Sequence, residues 1–116
     1  MPIVLFRTNL PNDKISHDFH KQLSAKLAQV LGKKEEAVLV TVECGARLCR
    51  GGNFDPMCEL HIISLYFNTS AQTQAATAAL TPFITQHTHI PSNRVVLSFQ
   101  APEPFMVAID GKVVQR

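Results

Sequence analysis

Apolar positions change period several times along the chain, and each change marks an element. Pro2-Ile3-Val4-Leu5-Phe6 is a β-rich run that continues to Thr8, predicting a first strand over residues 2–8. Asn9-Leu10-Pro11-Asn12-Asp13 gathers turn formers, whose side chains or fixed φ favour a bend over a ladder. Phe19, Leu23, Leu27, Val30 and Leu31 then recur at spacings of four, four, three and one, which places them on one face of a helix. Ser16 stands where an N-cap belongs, Asp18 falls in the favourable first turn, and Gly32 takes the left-handed C-cap position. Residues 37–43 predict a second strand, and 45–56, carrying Gly45, Gly51, Gly52 and Pro56, a loop. Residues 58–67 predict a third strand, 70–88 an Ala- and Gln-rich helix, and 94–100 a fourth strand. Pro82 removes one backbone donor inside the second helix and is expected to kink it. Beyond Pro102 and Pro104, Asp110-Gly111 between apolar pairs predicts a small hairpin.

The order is β-α-β-β-α-β, two similar halves in which a helix joins two parallel strands. This is an α/β fold: a four-stranded mixed sheet with two helices on one face, in a single domain over residues 1–116. Val4 and Phe6 alternate with Ile3 and Leu5, Leu60 and Ile62 with Ile63 and Leu65, and Val95, Leu97 and Phe99 with Val96. Both sheet faces therefore read as apolar, while two helices cover only one, so an obligate homo-oligomer is expected.

Composition narrows the class. With 46% hydrophobic and 17% charged residues the chain is not a disordered one. A net charge of +2 is too small for an affinity built on neutralising phosphates, so no nucleic-acid partner is expected. No apolar run reaches membrane-spanning length, and the start of the chain lacks the features of a signal peptide. Cys44, Cys49 and Cys58 are an odd set without Cys-x-x-Cys, which suits synthesis in a reducing cytosol and neither a disulfide framework nor a zinc site.

Candidate chemistry begins at Pro2. Removal of Met1 exposes a proline secondary amine. At the start of a buried strand, desolvation and a nearby cation lower an amine's pKa toward neutrality, which suits proton abstraction beside a carbonyl. Met1-Pro2-Ile3-Val4, Thr8-Asn9-Leu10-Pro11, Leu31-Gly32-Lys33 and Val40-Thr41-Val42 occur in that order, followed by Gly51-Gly52-x-x-Asp55-Pro56, Ile63-Ser64 and Asn93-Arg94-Val95. Over roughly the first hundred residues this collinear set resembles the macrophage migration inhibitory factor family, and within it the D-dopachrome tautomerase branch.

The resemblance implies a ring-shaped homotrimer and keto–enol tautomerisation of phenylpyruvate-like and dopachrome-like acids, with decarboxylation of D-dopachrome in that branch. It implies Pro2 as catalytic base and Lys33 as the cation that binds the substrate carboxylate and keeps Pro2 unprotonated, with Lys34 or Arg50 as possible helpers. Ile3, Ser64 and Leu65 fall in the substrate pocket, and the tail residues Phe105, Met106 and Ile109 are candidates for closing it. No cofactor and no metal are implied. The cytokine's tyrosine and asparagine, given by a neighbouring subunit, fall on Val96 and Ser98. Val96 donates no proton, and the arginine counterparts of the D-dopachrome branch are not matched at Ala37 or Ser98. The cytokine's Cys-x-x-Cys falls on Met57 and Leu60, so no oxidoreductase activity is expected. The family is both cytoplasmic and exported without a signal peptide. The resemblance therefore carries an alternative: a catalytically weak, secreted cytokine mimic that binds a receptor of the class II invariant-chain type.

The remaining polar features read as surface. His17 and His20 lie one helical turn apart without a third ligand at suitable spacing. His87 and His89 fall at a helix end, and His61 on the third strand at a subunit contact. Arg47 between Cys44 and Cys49 would lower a thiol pKa, although an ordinary loop is the plainer reading.

Overall fold

In the computed structural model, which describes residues 1–114, the first apolar run forms β1, Ile3–Thr8. It is followed by α1 (His17–Leu31), β2 (Leu39–Glu43), β3 (Cys58–Ile63), α2 (Ser70–Thr88), β4 (Val95–Gln100), and a hairpin of β5 (Ala108–Ile109) and β6 (Lys112–Val113). The sheet order is β2-β1-β3-β4, with β1–β2 and β3–β4 parallel and β1–β3 antiparallel in the centre. Each half is thus one helix crossover between parallel neighbours, and the two halves join through β1 and β3.

Local chemistry sets the helix ends. The Ser16 hydroxyl accepts the Asp18 N–H at 3.1 Å, and Gly32 adopts φ 63° so that the Lys33 N–H reaches back to the Ala28 carbonyl at 2.9 Å. α2 opens with a full capping box: Thr69 accepts from Gln72 N–H, and the Gln72 amide oxygen accepts the Thr69 N–H at 3.0 Å. Pro82 lies within α2 without dividing it. At the hairpin tip Asp110 and Gly111 both take positive φ, as a two-residue turn matching the twist of its strands requires.

All four sheet strands are shorter than their expected runs, the first by Pro2 alone. The second begins at Leu39, because Glu35–Ala37 forms a 3-10 turn in which Ala37 and Val38 donate to Lys34 and Glu35 carbonyls. The third ends at Ile63, where the Ser64 hydroxyl captures the Tyr66 N–H at 3.1 Å and turns the chain. The fourth begins at Val95, since Ser92–Arg94 is another 3-10 turn.

The core lies between the helices and one sheet face. Val4, Phe6, Leu60 and Ile62 meet Phe19, Leu23, Leu27 and Leu31 of α1 and Ala76, Leu80 and Ile84 of α2. Phe6 and Phe19 pack edge to face at 5.0 Å. Val30, expected in the α1 stripe, is half-buried, and Ala28 is buried instead.

The opposite sheet face differs from its expected uniform apolarity. Strand register lines it with three rows: Leu39–Ile3–Ile63–Gln100, Thr41–Leu5–His61–Ser98 and Glu43–Arg7–Glu59–Val96. Only the first row is largely apolar. The last is ionic, with Arg7 Nε 2.9 Å from Glu43, Arg7 Nη1 3.9 Å from Glu59, and His61 Nε2 3.2 Å from the other Glu59 oxygen.

Side-chain clamps hold the long loop before β3. Thr8 donates to the Met57 carbonyl at 2.7 Å. Asn9 donates to the Phe54 and Asp55 carbonyls and accepts the Met57 N–H. From the other side, buried Arg94 donates to the carbonyls of Arg50 (3.1 Å) and Asp55 (2.8 Å). Among the described residues, no helix is long and apolar enough to cross a membrane.

Candidate active site

Three separate elements bring Met1, Lys33 and Ser64 to one cleft. The left-handed turn at Gly32 ends α1 and leaves Lys33 exposed just beyond it. The central antiparallel pair sets Ile3 opposite Ile63, so Pro2 and Ser64 follow at the same end of the sheet. A cleft of about 440 Å³ opens there, lined by Met1, Lys33, Ser64, Leu65, Tyr66, Asn68 and Val114. Pro2 is buried at this end of the sheet and is not among the residues lining the cleft; its carbonyl accepts the Leu39 N–H at 3.0 Å. The cleft therefore combines one ammonium, hydroxyl and amide groups, and the apolar side chains of Leu65 and Val114.

The turn beneath the cleft is fastened at several atoms. Ser64 is fully buried; its N–H donates to the Gln100 carbonyl at 2.9 Å and its Oγ accepts the Tyr66 N–H. Asn68 Nδ2 donates to the Tyr66 carbonyl at 3.3 Å, and the Asn68 N–H donates to the Gln72 amide oxygen at 2.6 Å. The capping box of α2 thus anchors the wall of the cleft.

Not every expected residue is here. Ile3 lies on the open sheet face beside Leu39 and Ile63, next to the cleft but outside its lining. Val96 and Ser98 sit on β4 opposite Glu59 and His61, away from the Ser64 end of β3. Phe105 and Ile109 are 68% and 52% exposed on the tail and line no part of the cleft. Tyr66, Asn68 and Val114 line it unforeseen. The strand run read through residue 67 hid the turn at Ser64 that presents Tyr66 and Asn68.

Elsewhere, His20 Nε2 lies 2.8 Å from the Val40 carbonyl at the sheet edge, and His87 Nδ1 2.8 Å from the Phe83 carbonyl one turn back. His89 forms the left-handed cap of α2. Burial raises the Cys44 thiol pKa, opposite to the lowering expected from Arg47. Burial first and Glu59 second push Cys58 up to about 12.

Comparison with known proteins now bears on this geometry. The family model for macrophage migration inhibitory factor (MIF) matches residues 1–115. The chain belongs to the MIF family. It is 35% identical over 114 residues to the MIF-like protein mif-2 of Caenorhabditis elegans, covering 98% of this chain and 95% of that protein. It is 32% identical over 115 residues to D-dopachrome decarboxylase of Xenopus tropicalis, covering 98% of both. Among solved structures, the MIF of Trichinella spiralis superposes with a TM-score of 0.91 at 22% identity, covering 96% of this chain and 98% of that one. The MIF of the snail Oncomelania hupensis gives 0.93 at 20%, covering 99% and 83%. These two likenesses show the MIF fold. Lys33 and Ser64 line the cleft, and Pro2 lies at the same end of the sheet outside its lining.

Proposed function

We propose that this MIF-family protein is a tautomerase of small aromatic keto and enol acids that works as a homotrimer, with Pro2, freed of Met1, as its base. The convergence of Lys33, Ser64, Leu65 and the chain start on one cleft carries this reading. Met1 lines the cleft with Lys33, so freeing Pro2 of Met1 opens its nitrogen toward a cleft that holds an ammonium. A nearby cation favours the neutral amine that accepts a proton. In enolisation of phenylpyruvate, the Pro2 nitrogen takes a proton from the methylene carbon. The C–H electron pair becomes the C=C bond, and the carbonyl pair moves to oxygen. Lys33 binds the substrate carboxylate as a charge-assisted partner. On D-dopachrome, as in the branch that includes the amphibian relative, the carboxylate is lost as carbon dioxide.

The trimer is supported by the open sheet face, by the free edges of β2 and β4, and by the projecting apolar side chains of Phe105, Met106 and Ile109. Assays of phenylpyruvate and D-dopachrome test the reading. Turnover by the full protein, abolished in Pro2→Gly and weakened mainly through KM in Lys33→Ala, is expected. Inactivity on both substrates, or full activity of Pro2→Gly, overturns it. Val96, at the position of the family's proton donor, favours a second reading, an exported ligand of a cell-surface receptor of the invariant-chain type. Binding to that receptor at micromolar concentration is its test, and absence of binding refutes it.

A further inference from the structure

We infer that Tyr66 supplies the proton donor of this cleft, a catalytic acid on the same chain as Pro2 and Lys33. The inference rests on the tautomerase reading of the cleft. Moving a proton off carbon leaves negative charge developing on the carbonyl oxygen, and an O–H or N–H placed there lowers the barrier. Val96 cannot donate, and Ser98 lies on β4 away from the cleft of its own chain. Tyr66 is the chain's one tyrosine, and it lines the cleft with Lys33. Its hydroxyl makes no hydrogen bond among the described residues, while its backbone is held on both sides. Its N–H goes to Ser64 Oγ at 3.1 Å, and its carbonyl accepts Asn68 Nδ2 at 3.3 Å. Its ring stands edge-on to Phe67 at 5.3 Å and 86°, and Phe67 in turn packs against Phe99 at 4.8 Å. A phenol without a hydrogen-bond partner among the described residues, carried on a backbone fixed at two atoms, is available for donation.

The step balances. As Pro2 takes the carbon-bound proton, the carbonyl oxygen takes the Tyr66 phenol proton. The enol departs, leaving a prolinium and a phenolate that exchange one proton through water. In ketonisation each transfer runs backwards.

The experiment uses the full protein and phenylpyruvate. Tyr66→Phe keeps the ring and is expected to lower kcat about a hundredfold with KM within about twofold. Because the chain has one tyrosine and no tryptophan, near-ultraviolet emission reports Tyr66 alone. Titration with pyruvate, a keto acid without a ring, is expected to change that emission saturably, and Lys33→Ala to remove the response. If Pro2→Gly is inactive while Tyr66→Phe keeps wild-type kcat, the acid role is overturned and the tautomerase reading stands. A tyrosine emission indifferent to pyruvate, when calorimetry shows the site filled, also overturns the acid role. A wild-type protein inactive on both substrates overturns the tautomerase reading, and the acid role with it.

Discussion

Ser64→Ala tests whether the turn under the cleft positions Tyr66. The substitution removes one hydroxyl and leaves the backbone N–H of Tyr66 without its acceptor. A typical intramolecular hydrogen bond contributes about 0.5–1.5 kcal/mol net. The N–H sits in a half-buried residue, so water recovers part of the loss, while relief from burying the Ser64 hydroxyl offsets some more. The expected destabilisation is about 1 kcal/mol, read as a lower urea midpoint with unchanged slope at fixed protein concentration. The same loosening, expressed in the transition state, lowers kcat roughly fivefold. Because the effect is transmitted through Tyr66, Ser64→Ala is expected to cost no further rate in a Tyr66→Phe background. Rate losses that multiply in the double variant refute the positioning role, since Ser64 would then act on the substrate independently. An unchanged urea midpoint refutes the estimate of the bond itself.

Thr69→Ala, which breaks the capping box of α2, is expected to cost about 1 kcal/mol in urea unfolding. Ile3→Lys places a charge in the apolar row of the open face, and sedimentation is expected to show a trimer for the parent and a monomer for the variant. Cys58, buried with its pKa raised to about 12, is expected to resist thiol labelling in the native protein while exposed Cys49 reacts. The sign of its alkaline effect follows from the same shift. The stability gained by keeping the folded thiol neutral is complete below about pH 9, where the unfolded thiol is also protonated. It is lost as pH rises from there through about 12, and pH-dependent unfolding measures the loss.

The architecture was legible because period and caps agreed: the α1 stripe, Ser16 and Gly32 each stand where the helix needs them. α2 was legible from its Ala and Gln content. Its buried positions Ala76, Leu80 and Ile84 are too small and too sparse to make a strong stripe. Strand ends were not legible, because an apolar run does not show where a hydroxyl such as that of Ser64 takes over the next N–H. The motifs that carried the family resemblance are mostly fold devices. Thr8-Asn9 and Arg94 hold carbonyls of the 50–57 loop from two sides, and the Asn93 carbonyl accepts from the Arg50 guanidinium. The cleft is only partly contained in them. Lys33 and Ser64 lie within matched motifs, whereas Tyr66 and Asn68 lie just beyond one, where the chain turns.

In the proposed trimer, the open sheet face would link assembly to the proposed chemistry of the cleft. Its apolar row, Leu39, Ile3 and Ile63, runs across the end of the sheet where Pro2 precedes Ile3 and Ser64 follows Ile63. Its ionic row, Glu43, Arg7 and Glu59, lies at the far end with His61 beside it. Copies packed against the apolar row bury it and withdraw water from the flank of the cleft. An ammonium and a developing oxyanion then interact in a lower dielectric than bulk water provides. The ionic row resists burial, because removing those charges from water costs more than their pairing returns unless every partner is met. The two ends of the face therefore set a direction for packing, apolar row inward at the Pro2 end. On that arrangement Ile3→Lys loses turnover together with assembly, although the Ile3 side chain lies outside the lining of the cleft.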